Sequence, residues 1–103
     1  MKIVWSPDPI NMADDFFEVT RHLFGQKVYQ KYLEKIETIQ KQLLVMPRVG
    51  SLETALEDED GEFRFKLIND RFKLIYKLLD EETILIFAVW DMKQDPNKLK
   101  LFI

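Results

Sequence analysis

The chain of 103 residues contains no cysteine. That excludes disulfides, thiolate metal sites and cysteine nucleophiles together, and it suits a reducing, cytoplasmic setting. It contains a single histidine, His22, so neither a multi-histidine metal site nor the familiar nucleophile–histidine triads can be assembled. With three glycines, it has no glycine-rich phosphate loop, and GxSxG and HExxH are also missing. No apolar run approaches the ~20 residues of a membrane span. The longest, Ile84 to Trp90, is the size of a strand. The opening MKIVWSPDP has neither the long apolar core nor the small-residue cleavage site of a signal peptide.

What is present suffices for one core. The chain is 47% hydrophobic and 13% aromatic, and its length fits one domain over residues 1–103. Net charge is −3 but unevenly spread: residues 53–62 hold six carboxylates and no Lys or Arg, leaving the other 93 residues with a surplus of three positive charges. The acidic segment EDEDGE is not a calcium loop. Its glycine comes three residues after Asp58, where an EF-hand places it five after the first ligand, and no bidentate Glu follows at the twelfth position.

Along the chain, Lys2 to Trp5 reads as a strand that stops at Ser6-Pro7. Ser6 or Asp8 caps a helix with proline in its first turn. Ala13, Phe16, Phe17, Thr20, Leu23 and Phe24 mark its apolar stripe, and Gly25 ends it. A second helix from Gln26 to Val45 carries the stripe Tyr29, Tyr32, Leu33, Ile36, Ile39, Leu43. Pro47 and Gly50 open an irregular loop to Gly61. Three antiparallel strands follow: Glu62–Leu67, Arg71–Leu78 after an Asn69-Asp70 turn, and Thr83–Trp90 after Asp80-Glu81-Glu82. The third is apolar on both faces, which places it centrally. Asp91 to Pro96 is a polar turn, and the tail Asn97–Ile103 suits either a strand or a turn. The fold class is α+β: strand, helix, helix, three strands, with a small twisted, mostly antiparallel sheet backed by two helices on one face.

The constellation with chemical potential is cationic. A two-residue turn at Asn69-Asp70 places Arg64 and Lys66 beside Lys73 and Arg71, with Lys77 further along, on a sheet face opposite the helices. Like charges so close admit two explanations: a solvated face neutralised by the acidic loop, or a surface for phosphate groups. His22 reads as a surface residue near a helix end, while Trp5, Trp90 and Tyr76 read as packing residues.

The order and spacing of several segments resemble the RelE/ParE superfamily of bacterial toxins from type II toxin–antitoxin modules. These are KIVWSP, Leu43 to Pro47 closing the long helix, Gly61 before FRFKL, FKLIYKLLDEETILIFAVWD and the closing DMKQDPNKL. The resemblance covers nearly the whole chain. It implies a cofactor-free cytoplasmic protein bound by a cognate antitoxin as a heteromer. It also implies one of two activities, ribosome-dependent cleavage of mRNA or non-enzymatic inhibition of DNA gyrase, with a degenerate toxin that only binds its antitoxin as a third alternative. For the first, it assigns catalytic roles to Arg64, Lys66, Lys73 and Lys93, with Arg71 and Lys77 as further RNA contacts. Lys66 or Arg64 would orient or deprotonate the ribose 2′-hydroxyl that attacks the adjacent phosphate, and Lys73 and Lys93 would stabilise the phosphorane charge. Glu53 or Glu57 is the position for a glutamate used by some relatives. Lysines stand at two positions where RelE-type members carry arginine, which loses the bidentate fork. Leu99 stands near the place of a base-stacking tyrosine, and the ending WDMKQDPNKL looks closer to ParE-like tails.

Overall fold

The computed structural model describes residues 1–6, 10–57 and 61–102, and side chains are described outside 10–17, 19 and 100–102. The expected cap at Asp8, the stripe residues Ala13, Phe16 and Phe17, the centre of the acidic run and Ile103 lie outside these. Strand β1 (Lys2–Trp5) leads to the helical segment α1 (Ile10–Val45). Then come the short β2 (Ser51–Leu52), a 3₁₀ turn (Thr54–Leu56), β3 (Phe63–Leu67), β4 (Phe72–Asp80), β5 (Thr83–Asp91) and a closing 3₁₀ segment (Pro96–Phe102). The five strands form one sheet in the order β1-β5-β4-β3-β2, antiparallel except for the β1–β5 pair.

The helical boundary expected at Gly25 is where α1 bends, since Gly25 has φ 81° and ψ 175°, outside helical values. A positive φ at this point suits a residue without a Cβ. Beyond the bend, Tyr32, Ile36, Ile39 and Leu43 recur at helical spacing and face the sheet. Ile36, Ile39 and Leu43 are buried there with Leu74, Tyr76, Ile84 and Ile86. Each such side chain contributes about 1.5–3 kcal/mol by leaving water. The first stripe does not hold to its end, because Leu23 and Phe24 are exposed.

Strand β5 lies inside the sheet, as its two apolar faces require. Its register against β4 shifts between Ile75, opposite Ala88, and Tyr76, opposite Ile86, which leaves Phe87 as an extra residue. The bulge lets Phe87 and Ala88 both enter the second face.

That second face overturns the expectation of a solvated cationic layer. Phe63, Ile75, Phe87, Ala88 and Trp90 build a second core on it, closed by Leu56 from the 3₁₀ turn and Leu99 from the closing segment. The sheet is therefore covered on both faces. The stretch expected to be irregular supplies the edge strand β2 and the turn that carries Leu56, and the undecided tail is the 3₁₀ segment.

Candidate functional site

The placement of the basic residues is settled by one loop. A two-residue Asn69-Asp70 turn would pair Lys66 with Lys73. The observed ladder pairs Leu67 with Lys73, Lys66 with Leu74 and Arg64 with Tyr76, because the connection contains Asn69, Asp70 and Arg71. Asn69 Oδ1 accepts hydrogen bonds from the backbone N–H groups of Arg71 and Phe72, both at 2.8 Å, which fixes the longer loop. One residue of register reverses every side chain. Arg64 and Lys66 thus share the helix-side face with Tyr76 and Leu74, while Lys73 and Lys77 stand on the other with Phe63 and Ile75. The expectation of a single basic face is corrected accordingly.

Most of these cations are also engaged. Arg64 Nη1 donates to the Gly50 carbonyl at 2.7 Å, and its Nη2 meets Glu62 at 2.6 Å. Lys73 is ion-paired with Glu53, their side chains 12% and 4% exposed, and its ammonium lies 4.7 Å from the centre of the Phe65 ring. Lys77 lies 4.9 Å above the Phe63 ring. Arg71, at the loop tip, donates from Nε and Nη2 to Asp91 Oδ2 at 3.1 and 2.9 Å, which raises its pKa. Burial works to raise the Asp91 carboxyl. The Arg71 hydrogen bond, the Lys93 backbone N–H and the two positive charges outweigh it and hold the group below the ordinary carboxylate range. Lys93 is exposed just past β5, and its N–H donates to Asp91 Oδ1 at 2.9 Å. The six residues therefore fall into three places: Arg64 and Lys66 on one face, Lys73 and Lys77 on the other, and Arg71 with Lys93 at the β5 end around Asp91.

Of the two candidate glutamates, the structure separates one from the other. Glu53 is buried, caps the 3₁₀ turn through the Ala55 N–H at 3.4 Å and reaches Lys73, whereas Glu57 is exposed. The two glutamates line a shallow depression with Glu62 and Phe63. Sequence reasoning missed the clamp on Gly50, whose N–H donates to the Tyr76 hydroxyl at 3.0 Å. Nothing in the period-two pattern of β4 signals it. Trp90 and Tyr76 are core residues as expected, and His22 is exposed, 3.8 Å from Glu18. Among the described residues no cluster of His, Asp or Glu has the arrangement of a metal site, and no helix is long and apolar enough to cross a membrane.

Comparison with known proteins agrees with this architecture. Residues 3–96 match the family described as ParE toxin of type II toxin-antitoxin system, parDE. A solved structure, the YoeB/ParE toxin from Agrobacterium tumefaciens, superposes with a TM-score of 0.61 at 16% identity, over 88% of this chain and 98% of that one. A chain from the chromosomal ParDE TA system of P. aeruginosa superposes with a TM-score of 0.65, also at 16% identity, over 88% of this chain and 95% of that one. At that identity the two structures speak for the fold. Among curated proteins nothing matches.

Proposed function

Because the chain belongs to the ParE toxin family of type II toxin–antitoxin systems, we propose that it acts as a ParE-like, non-enzymatic inhibitor of DNA gyrase rather than as an mRNA endonuclease. The division of its cations carries this reading. A phosphorane gains most from positive charges already converged on one point. Here Arg64 and Lys66 are separated by the sheet from Lys73 and Lys77. Arg64, Arg71 and Lys73 each hold a carboxylate of the chain itself. An acidic net charge of −3 also works against binding ribosomal RNA. Gyrase as target follows from the ParE resemblance, and the antitoxin is the partner implied by the family.

One observation favours the nuclease as a second reading. Glu53, which lines the depression, is held in a shielded acid–base pair with Lys73. A carboxylate and an ammonium so placed could handle a 2′-hydroxyl proton and a phosphate oxygen. In that reading Lys73 and Lys77 would do the binding, with Lys93, Arg64 and Lys66 recruited from elsewhere. Purified toxin tested in parallel on gyrase supercoiling and on mRNA in a translation extract separates the two. Inhibited supercoiling with intact mRNA is expected. Codon-specific cuts that vanish in Lys73→Ala would establish the nuclease instead.

A further inference from the structure

The two halves of α1 meet at a single residue. Among the described residues of Ile10–Val45, Gly25 alone departs from helical dihedrals, with φ 81° and ψ 175°. That combination belongs to a region of backbone space essentially reserved for glycine. A Cβ at Gly25 would meet no atom within 4 Å. A side chain there would therefore disturb the backbone angles and no neighbour. Helical angles at this one residue would join the halves into a single rod of 36 residues. The part ahead of Gly25 would then project roughly 20 Å past the bend, out of reach of its own sheet.

What lies ahead of the bend is attached at the margin of the fold. Strand β1 has four residues, sits at the sheet edge and pairs parallel to β5, the slightly weaker kind of pairing. The Lys2 N–H donates to the Glu82 carbonyl at 2.8 Å and the Ser6 N–H to the Ile86 carbonyl at 2.9 Å. Its departure leaves the order β5-β4-β3-β2 intact. It also uncovers part of the first core, because Ile3 and Trp5 pack against that core, and it opens the surroundings of the buried Thr20. An opened chain needs cover for that surface.

We propose that α1 straightens at Gly25 and that two copies of this chain exchange residues 1–24, each laying its β1 against β5 of the other copy. The occupant is a second copy because an identical segment restores every contact that opening breaks. The closed and exchanged forms then differ chiefly at the hinge. Glycine accepts the bend without strain and is a poor residue for a helix interior. Both preferences favour the closed monomer, so the exchanged dimer is the minor form of the wild type. The exchanged segment contains none of Glu53, Arg64 and Lys73, so the proposal is independent of the toxin's target.

The test uses the full chain, whose lack of cysteine leaves room for one engineered pair. Val4 stands opposite Leu85 in the β1–β5 register, and Val4→Cys/Leu85→Cys brings two thiols within disulfide reach. Oxidation joins residues of one chain in the closed monomer and of two chains in the exchanged dimer. A non-reducing denaturing gel separates these products. In sedimentation runs Gly25→Ala is expected to lower the dimer dissociation constant at least about a hundredfold, since each dimer relieves two bends that alanine cannot hold without strain. With the cysteine pair added, its dimers are expected to carry the link between chains. Gly25→Ala that stays monomeric at every concentration, or dimers whose link remains within one chain, overturns the proposal. If Gly25→Ala does not fold, the glycine-bearing chain with the cysteine pair, refolded at high concentration, decides in its place. A covalent dimer fraction supports exchange, and monomer alone overturns it.

Discussion

Arg64 and Tyr76 are cross-strand neighbours in the β3–β4 ladder, and both close on Gly50. Arg64 donates to its carbonyl and Tyr76 accepts from its N–H, so the chain leaving α1 is tied to the sheet at both polar groups of one residue. The fit leaves no room for a side chain: a Cβ on Gly50 would stand 2.6 Å from the Phe65 carbonyl oxygen and 2.8 Å from the Tyr76 hydroxyl. Gly50→Ala is expected to cost about 1–3 kcal/mol through overpacking. Tyr76→Phe is expected to cost about 1–2 kcal/mol by leaving a buried N–H without its acceptor. Urea unfolding of the two variants checks both figures.

The same tyrosine should be visible in an alkaline titration. Burial raises the Tyr76 pKa, and the Gly50 backbone hydrogen bond and the Arg64 charge only partly oppose it. The folded pKa lies above the unfolded one, so this contribution to stability is complete below pH ~10 and lost as pH rises through the folded value. Phenolate absorbance should therefore show Tyr76 titrating late. In Tyr76→Phe that late step should be missing. A wild-type titration with no late step would contradict the packing described.

At the acid end the relevant group is Asp91, held low by Arg71 and the Lys93 N–H against the effect of burial. A depressed carboxyl contributes stability above its unfolded pKa and loses it as pH falls through the folded value. Stability should drop below about pH 4, and the drop should be shallower in Asp91→Asn, which is already weakened at pH 7. Asp80, lowered chiefly by the Glu82 N–H, should retain its own share of the slope. Urea midpoints measured across the acid range check both statements.

The ion pair of Glu53 and Lys73 is the most enclosed of the described pairs. Lys73→Met strands a buried carboxylate and is expected to cost about 3 kcal/mol. Adding Glu53→Met should cost much less than a second independent loss, giving a coupling of roughly 1–3 kcal/mol in a double-mutant cycle. Additive losses would mean that the two groups do not act as a pair.

The periodicities carry much of the architecture. Ile36, Ile39 and Leu43 mark the packed side of the helix, Gly25 its bend, and the unbroken run Ile84 to Trp90 the inner strand. The site was harder to read, for a definable reason. Phe63, Phe65 and Leu67 and the row Phe72, Leu74, Tyr76 each look like the apolar side of a strand, and aligning them produces a single basic face. Whether they align depends on the length of one turn, and Arg71 belongs to that turn. The available warning was Ile75, an apolar residue in the row of Lys73 and Lys77, which proves to be fully buried in the second core. The Glu53–Lys73 contact joins positions twenty residues apart and leaves no local pattern.

The most direct measurement follows the fate of mRNA and of plasmid topology in one translation extract supplied with gyrase and increasing amounts of purified toxin. Cations divided between two faces predict that supercoiling fails while every message stays full length, and that Lys66→Ala and Lys73→Ala leave the messages unchanged. Discrete cuts in translated mRNA, abolished by either substitution while supercoiling proceeds, would contradict the account.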